Sequence, residues 1–352
     1  MSLFISCDWG TSSLRVRLVD PADFRVIAEE HSGMGIREAH VRWKKRAIKS
    51  GSERVIDSGS ERVAVRGTEE AERVDYYLAI VGELIGRIAG RSAHSLQGIP
   101  VIMSGMASSS AGVLELPYRS IPFHLHTDIP VARFLETGNA FSHSVLLISG
   151  LRKADDVMRG EETQLIGCWQ MMKEADGLYI FPGTHSKHIH VRDHSIIDFT
   201  TYMTGEFFDL LSEKSLLSGS VQGGKVGGSA ADEVGWTVAR GWTHFQQGVR
   251  DAAGANLLHA AFQVRVNDLF GLLSRRENFY YLSGLLIGAE LQGLAKNDAD
   301  RIYLCCGQGL KDHYEKALEV MDVCKRVHIF PGDWIDTAVV RGHFRIFNQC
   351  MQ

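Results

Sequence analysis

Four short stretches of this sequence join side chains able to do chemistry to turns able to present them. In VMRGEETQLIG (157–167), Glu161 and Glu162 stand side by side behind Arg159 and Gly160. A carboxylate held beside a hydroxyl can take its proton. The same pair is also what a helix's first turn selects, because its unpaired N–H groups and macrodipole stabilise anions. CDWGTSS (7–13) sets Asp8 just before Gly10, Thr11 and Ser12. Small residues let backbone N–H groups crowd a phosphate, and Asp8 can hold Mg²⁺ directly or through water. A hairpin turn capped by an Asp side chain reads the stretch equally well. PGTHSKH (182–188) repeats the design with Gly183 and Thr184, and adds His185 and Lys187 as donors for phosphate oxygens. His188 and His190 share a strand face with Ser186, but no acidic or Cys residue stands at metal-ligand spacing from them, so exposed strand histidines are the preferred reading. CCGQG (305–309) is a GxG of the kind found in many unrelated turns. Its Gly307 and Gly309 would let a flat base approach the backbone closely.

The elements that must position these stretches follow from periodicity. LFISCDWG and SLRVRLVD read as two strands around a polar turn, a hairpin and not a strand–helix start. Residues 36–75 read as a charged, irregular surface excursion in which SGSERV occurs at 50–55 and again at 58–63. Residues 76–91 have the pattern of an amphipathic helix. IPVIMSGM (99–106) and VLLISGL (145–151) read as buried strands, and GLYIFPGTHSKHIHV (177–191) as strand, turn and strand. Helices are expected over 205–217, 236–250, 256–274 and 279–296, with a Gly-rich loop at 222–235. RIYLCCGQGL (301–310) gives a strand, a turn and the helix KDHYEKALEVM, and a last helix is expected near 334–348. This mixture in two halves is an α/β pattern. We expect an N-terminal domain over 1–168 and a C-terminal one over 169–352, with a hinge near 168.

Composition narrows the function classes. With 352 residues, 45% hydrophobic, the chain can build two cores. A net charge of −4 gives no basic field for nucleic acid or an anionic membrane. No apolar run reaches membrane-helix length, and MSLFISCDWG lacks the basic start of a signal peptide. The six cysteines form no CxxC pair. The expectation is a cytoplasmic protein; a homodimer is compatible with it. No GxxxxGK[ST] motif and no protein-kinase signature is present.

Two strand–turn–strand phosphate loops followed by a late strand–GxG–helix resemble the actin-like ATPase (ribonuclease H-like) fold. That resemblance implies two similar domains with ATP bound in a cleft between them. DWGTSSLRVRL, SGMASSSAGVLELPY (104–118), VMRGEETQLIG, PGTHSKH, FTTYMTGEFFDLL (199–211) and LSGLLIGAEL (282–291) together resemble the 2-dehydro-3-deoxygalactonate kinase family. The resemblance implies transfer of phosphate from ATP, with Mg²⁺, to the 6-hydroxyl of 2-dehydro-3-deoxy-D-galactonate in galactonate breakdown. The sequence departs from the family's pattern in the length of 36–75 and in Gly112-Val113-Leu114, where a Gly-Trp-basic run is usual. That departure keeps a kinase for another sugar acid or polyol as an alternative, and the fold alone allows a non-catalytic nucleotide-binding regulator.

Residue roles follow from the resemblance. Gly160-Glu161 is similar to the Gly–acid step that carries the base in sugar kinases, so Glu161 is the expected base, Glu162 its rival and Glu206 a distant third. Asp8 would orient Mg²⁺ through water. Gly10, Thr11 and Ser12 would cradle phosphates, joined by Gly183, Thr184, His185 and Lys187. Gly307 and Gly309 would line the adenosine site. Arg159 would meet the substrate carboxylate, with Ser104, Met106 and Ser108 nearby. Arg15 and Arg17 alternate onto one strand face, as a charge source or as a solvated face.

Overall fold

The computed structural model describes residues 3–50, 62–137, 141–222, 238–296, 299–331 and 334–352. The chain divides into two units. Unit 1 is Met1–Ala175, Arg192–Asp198 and Asp333–Gln352; unit 2 is Asp176–Val191 and Phe199–Gly332.

Unit 1 opens with β1 (Phe4–Trp9), β2 (Leu14–Asp20) and β3 (Arg25–Ser32), then α1 (Ile36–Ser50), α2 (Arg62–Ala89) and β4 (Val101–Gly105). Short strands follow: β5 (Arg119–Ser120), β6 (Phe123–His124), β7 (Ala132–Leu135), β8 (Val145–Ile148), β9 (Leu151–Arg152) and β10 (Val157–Met158). Helix α3 (Glu161–Met171) ends the first pass. The main sheet runs β3-β2-β1-β4-β8-β7. The first three strands are antiparallel, whereas β1, β4 and β8 are parallel.

A second copy of the plan uses β11 (Gly177–Phe181), β12 (Ser186–Arg192) and β13 (Ser195–Tyr202), of which Arg192–Asp198 is grouped with unit 1 and the rest with unit 2. Helices α4 (Thr204–Asp209), α5 (Val238–Ala252), α6 (Leu257–Leu269) and α7 (Arg275–Leu291) come next. They are followed by β14 (Ile302–Leu304), α8 (Gln308–Val320) and β15 (Val327–Ile329). The order β15-β14-β11-β12-β13 mirrors unit 1, with β11, β14 and β15 parallel. A third-second-first-fourth-fifth order, present twice, is the actin-like fold expected from the sequence.

Strand alternation decides what each sheet face does. On β1, Ile5, Cys7 and Trp9 enter the core, together with Leu14, Val16 and Leu18 of β2 and with residues of α1 and α2. The intervening Ser6 and Asp8 belong to the opposite face, where Ser6 Oγ lies 2.8 Å from His343 Nδ1. His343 is on α9 (Trp334–Cys350), which returns to unit 1. Burial pushes its imidazole down to about 3. Helices α3 and α9 pack backbone to backbone. A Cβ at Gly167 would lie 1.9 Å from the Ala338 carbonyl, and one at Gly342 would lie 2.0 Å from that of Thr163.

Two expectations are corrected here. Residues 36–75 are not an irregular excursion where they are described. Ile36, Ala39 and Trp43 of α1 and Val74 of α2 are buried core residues at helical spacing. Most of the SGSERV pair, like most of the 222–235 loop, lies outside the described residues. The chain also has no single boundary at 168, since α3 runs through it and residues 333–352 belong to unit 1.

Candidate functional site

The ends of β1 and β4 and the start of α3 meet in unit 1. Gly105 (φ 79°) and Gly160 (φ 107°) occupy backbone conformations that L side chains rarely adopt. A Cβ on Gly105 would press to 2.7 Å from the Trp9 carbonyl, and one on Gly160 to 3.1 Å from Gly105 Cα. The glycines therefore let three backbones converge beside Asp8 and Glu161. Asp8 is half-buried and sits in register between Arg15 and Ser104 of the neighbouring strands. Burial pushes its carboxyl up, Arg17 and Arg15 pull it down, and Glu161 and Asp336 push it up again, for a net rise. Arg17 is buried and donates to Glu29 and Asp336, each at 2.7 Å, while Arg15 reaches Asp336 at 2.9 Å. The solvated-face reading of these arginines fails for Arg17, because β3 and α9 cover it.

The two glutamates have different environments. Glu162 is fully buried and folds back to accept the Gly160 N–H at 2.8 and 3.0 Å, and the Thr163 hydroxyl donates to it at 3.0 Å. It thereby caps α3. Burial first, and the Glu161 charge second, push its carboxyl up to about 8, against the pull of the N–H donors. Glu161 is half-buried and accepts the Arg159 N–H at 3.0 Å. The Arg159 guanidinium lies 4.1 Å over the Tyr118 ring, donates to the Tyr118 hydroxyl at 3.2 Å, and reaches the Ser108 carbonyl and, at 2.6 Å, its Oγ. Ser104 is buried and its Oγ has no hydrogen-bond partner among the described residues. Met106 leans against the unit 1 core, as does Leu114, and Val113 is fully buried within it. The Val113-Leu114 departure is thus part of the core.

The first turn is braced from outside. Gly10 N–H donates to the Ser13 carbonyl at 2.9 Å, and the Gly10 and Thr11 carbonyls accept from Ile36 and Arg37 at the start of α1. Ser12 is exposed and Thr11 half-buried.

Unit 2 braces its own turn with a buried polar network. Glu290 on α7 accepts from Tyr314 at 2.7 Å and from the Thr204 hydroxyl, and lies 3.0 Å from His188. Tyr314 touches Ser186 Oγ at 3.1 Å, which accepts the Gly183 N–H at 3.3 Å. Glu206 N–H donates to the Thr184 carbonyl at 3.0 Å, and the Glu206 carboxylate pairs with His185. Thr184 is exposed and His185 partly so, but Lys187 is buried, with its Nζ 3.2 Å from the His185 carbonyl. Glu206 belongs to this loop and not to the Glu161 cluster.

A cavity of about 510 Å³ opens from this turn. Gly183 and Thr184 form one side, Phe279, Leu286 and Ile287 of α7 another, and Leu310 and His313 of α8 a third. An apolar slot beside a small-residue loop suits a base and ribose. Gly307 caps α8 and Gly309 lies in its first turn; neither lines the cavity, and both face open space. Sequence reasoning missed Tyr118, Phe279 and His313. Tyr118 closes the SGMASSSAGVLELPY block, a usable signal, whereas nothing local marks the other two.

A duplicated fold of this topology, with a braced small-residue turn after the first strand of each copy, defines the actin-like ATPase and sugar-kinase class. The chain belongs to the 2-keto-3-deoxy-galactonokinase family, whose model matches residues 8–346. It is 33% identical over 231 residues to the 2-dehydro-3-deoxygalactonokinase of Escherichia coli K12, a match covering 63% of this chain and 71% of that one. It is 29% identical over 330 residues to the "Probable 2-dehydro-3-deoxygalactonokinase DgoK1" of Rhizobium meliloti 1021, covering 90% and 89%. The crystal structure of "a putative 2-dehydro-3-deoxygalactonokinase protein from Sinorhizobium meliloti" superposes with a TM-score of 0.73 at 27% identity, covering 97% of this chain and 96% of that one.

Proposed function

We propose that the chain transfers the terminal phosphate of ATP to the 6-hydroxyl of 2-dehydro-3-deoxy-D-galactonate. Family membership across residues 8–346 is the observation that carries this reading. Phosphoryl transfer asks a protein mainly for positioning, charge stabilisation and one acceptor for the hydroxyl proton. Glu161 is that acceptor. Its neighbour Glu162 is buried as the cap of α3 and cannot reach a substrate without dismantling the helix start. Arg159, steadied by Tyr118 and Ser108, meets the substrate carboxylate, and the unpartnered Ser104 hydroxyl meets a substrate hydroxyl. Gly10, Thr11 and Ser12 bind phosphate oxygens, as do Gly183, Thr184 and His185; buried Lys187 contributes charge from behind its loop. The adenosine moiety occupies the cavity between α7 and α8.

Mg²⁺ suits the donor chemistry at Asp8, a hard oxygen donor whose carboxyl is pushed up partly by neighbouring carboxylates. When bound, it would offset the charge of the phosphates. Asp8 would hold it, and Arg15 and Arg17 fix the carboxylates around it.

ADP release with MgATP and a panel of 2-keto-3-deoxy sugar acids tests the reading. The galactonate derivative should support turnover, and Glu161→Gln should lower kcat by about 10²–10⁴-fold. Turnover that survives in Glu161→Gln would leave the kinase standing and remove the base. Silence with every sugar acid, alongside nucleotide-dependent light scattering, would favour an assembling regulator.

A further inference from the structure

A second cluster of ligand-type side chains lies at the other end of α3. His126, Glu174 and His194 each bring one donor atom to within 4.8 Å of the other two. They come from three separate segments of unit 1: the loop after β6, the residues just beyond α3, and the turn between β12 and β13. His126 Nε2 and a Glu174 carboxylate oxygen are already 3.2 Å apart. Ligands about 2.0–2.1 Å from a tetrahedral zinc ion stand about 3.3 Å from one another, so one edge is in place. The other two close by side-chain rotation, which the partial exposure of all three residues permits.

The backbone fixes these residues in tight local turns: Lys173 and Glu174 close the end of α3, where the Glu174 N–H donates to the Trp169 carbonyl at 2.8 Å, and Asp193 and His194 form the two-residue turn between β12 and β13. Lys173 and Glu174 have φ of 54° and 65°, and Asp193 and His194 have 49° and 57°. The floor is Trp169 of α3, fully buried, with its ring 4.8 Å from that of His126 and 5.6 Å from that of His194. Its indole N–H has no hydrogen-bond partner among the described residues. Arg345 of α9 lies over the same indole and donates to the Leu125 carbonyl, and Gln349 donates to that of His126 at 3.1 Å. The loop is therefore fixed from below while its imidazole stays accessible.

We propose that His126, Glu174 and His194 form a binding site for a divalent transition-metal ion of the zinc class, with a fourth position left to water. Two imidazoles and one carboxylate suit Zn²⁺, Ni²⁺ or Cu²⁺ and not Mg²⁺, which demands oxygen ligands. The Arg345 charge acts on Glu174 and opposes any cation held by charge alone, so the imidazole nitrogens select the ion. The ion ties the C-terminal end of α3 to the β12–β13 turn, a structural clamp separate from the Asp8 and Glu161 cluster.

Untagged full-length chain, stripped with EDTA and dialysed into buffer with excess Mg²⁺, is titrated with Zn²⁺ by calorimetry and with Co²⁺ by visible absorption. One equivalent of Zn²⁺ should bind, raise Tm and be displaced by EDTA, and Co²⁺ should show the intense absorption of a tetrahedral site. His126→Ala, His194→Ala and the near-isosteric Glu174→Gln should each weaken binding by at least about tenfold. His124→Ala, whose ring is 5.8 Å from that of His126, should bind as the wild type does. Circular dichroism checks that each variant is folded, and Glu174→Gln serves where an alanine variant is not. No saturable binding, or binding that persists in both folded His126→Ala and Glu174→Gln, overturns the site. Kinase turnover is not a readout, so failure here leaves the proposed function untouched.

Discussion

Glu161 and Glu162 are adjacent and chemically identical, yet their surroundings separate them. Glu162 spends its oxygens on the Gly160 N–H and the Thr163 hydroxyl inside unit 1, and its carboxyl is pushed up to about 8, chiefly by burial. A carboxyl whose folded value lies above its unfolded one stabilises most below the unfolded value. That stability is lost as pH rises towards the folded value. The window here runs from about 4.5 to about 8. Denaturant titrations at a series of pH values should therefore show wild-type stability falling across this window. In Glu162→Gln, which has no proton to lose, the fall should be smaller. An equal fall in both proteins would mean that Glu162 does not hold its proton. Glu162→Gln should also keep kcat within about tenfold of wild type, where Glu161→Gln does not. The sequence showed the pair and left two roles open. Choosing between them needed the side-chain rotation that turns Glu162 back onto its own helix start. Arg17 was similarly half-legible: alternation gave its face, but its partner Asp336 lies on a helix far along the chain.

Helix α3 presents Glu161 at its first residue and is seated on α9 by two glycines. A methyl at Gly342 would overlap the Thr163 carbonyl at 2.0 Å, and only backbone movement relieves that. Overpacking of this kind costs about 1–3 kcal/mol. Gly342→Ala should lower Tm by several degrees in scanning calorimetry and lower kcat more than it raises KM, because the shift is transmitted to the helix that carries the proposed base. Gly86→Ala in α2 is the control, since nothing stands within 4 Å of a Cβ there. Removing a mid-helix glycine should leave stability unchanged or raise it by up to about 1 kcal/mol, with Tm unchanged or slightly higher. Equal losses in the two variants would show that α3 is not seated through Gly342. At this scale the buried central strands β1, β2, β4, β8, β11, β12 and β14 and most helices were legible from periodicity, whereas β3, β13, β15 and the short strands were not. Helix α1 was not, because its apolar residues Ile36, Ala39 and Trp43 are spread among a dense run of charges. Their spacing carried the signal, and their charged setting masked it.

The duplication is the most legible feature of the whole molecule, since each copy begins with the same strand, small-residue turn and strand. The return of residues 333–352 to unit 1 was not legible, because the seat of α9 is shared between its own Gly342 and Gly167 on α3, far away along the chain. Arg159 and its supports lie in unit 1, and the α7–α8 cavity lies in unit 2. If unit 1 reads the sugar acid and unit 2 the nucleoside, single substitutions should split the two KM values. Phe279→Ala removes an aromatic wall of the cavity, worth about 0.5–1.5 kcal/mol, and should raise the KM for ATP up to about tenfold. Arg159→Gln removes a charged donor worth about 1.5–3 kcal/mol and should raise the KM for the sugar acid by about 10–100-fold. Distant, independent sites combine additively to within about 0.3–0.5 kcal/mol. Each variant should therefore leave the other substrate's KM within about twofold, and the double variant should show the product of the single effects. Initial-rate kinetics with both substrates varied measures all of this. If either substitution raised both KM values alike, the assignment of one substrate to each unit would be wrong, and the α7–α8 cavity would lose its claim to the nucleoside.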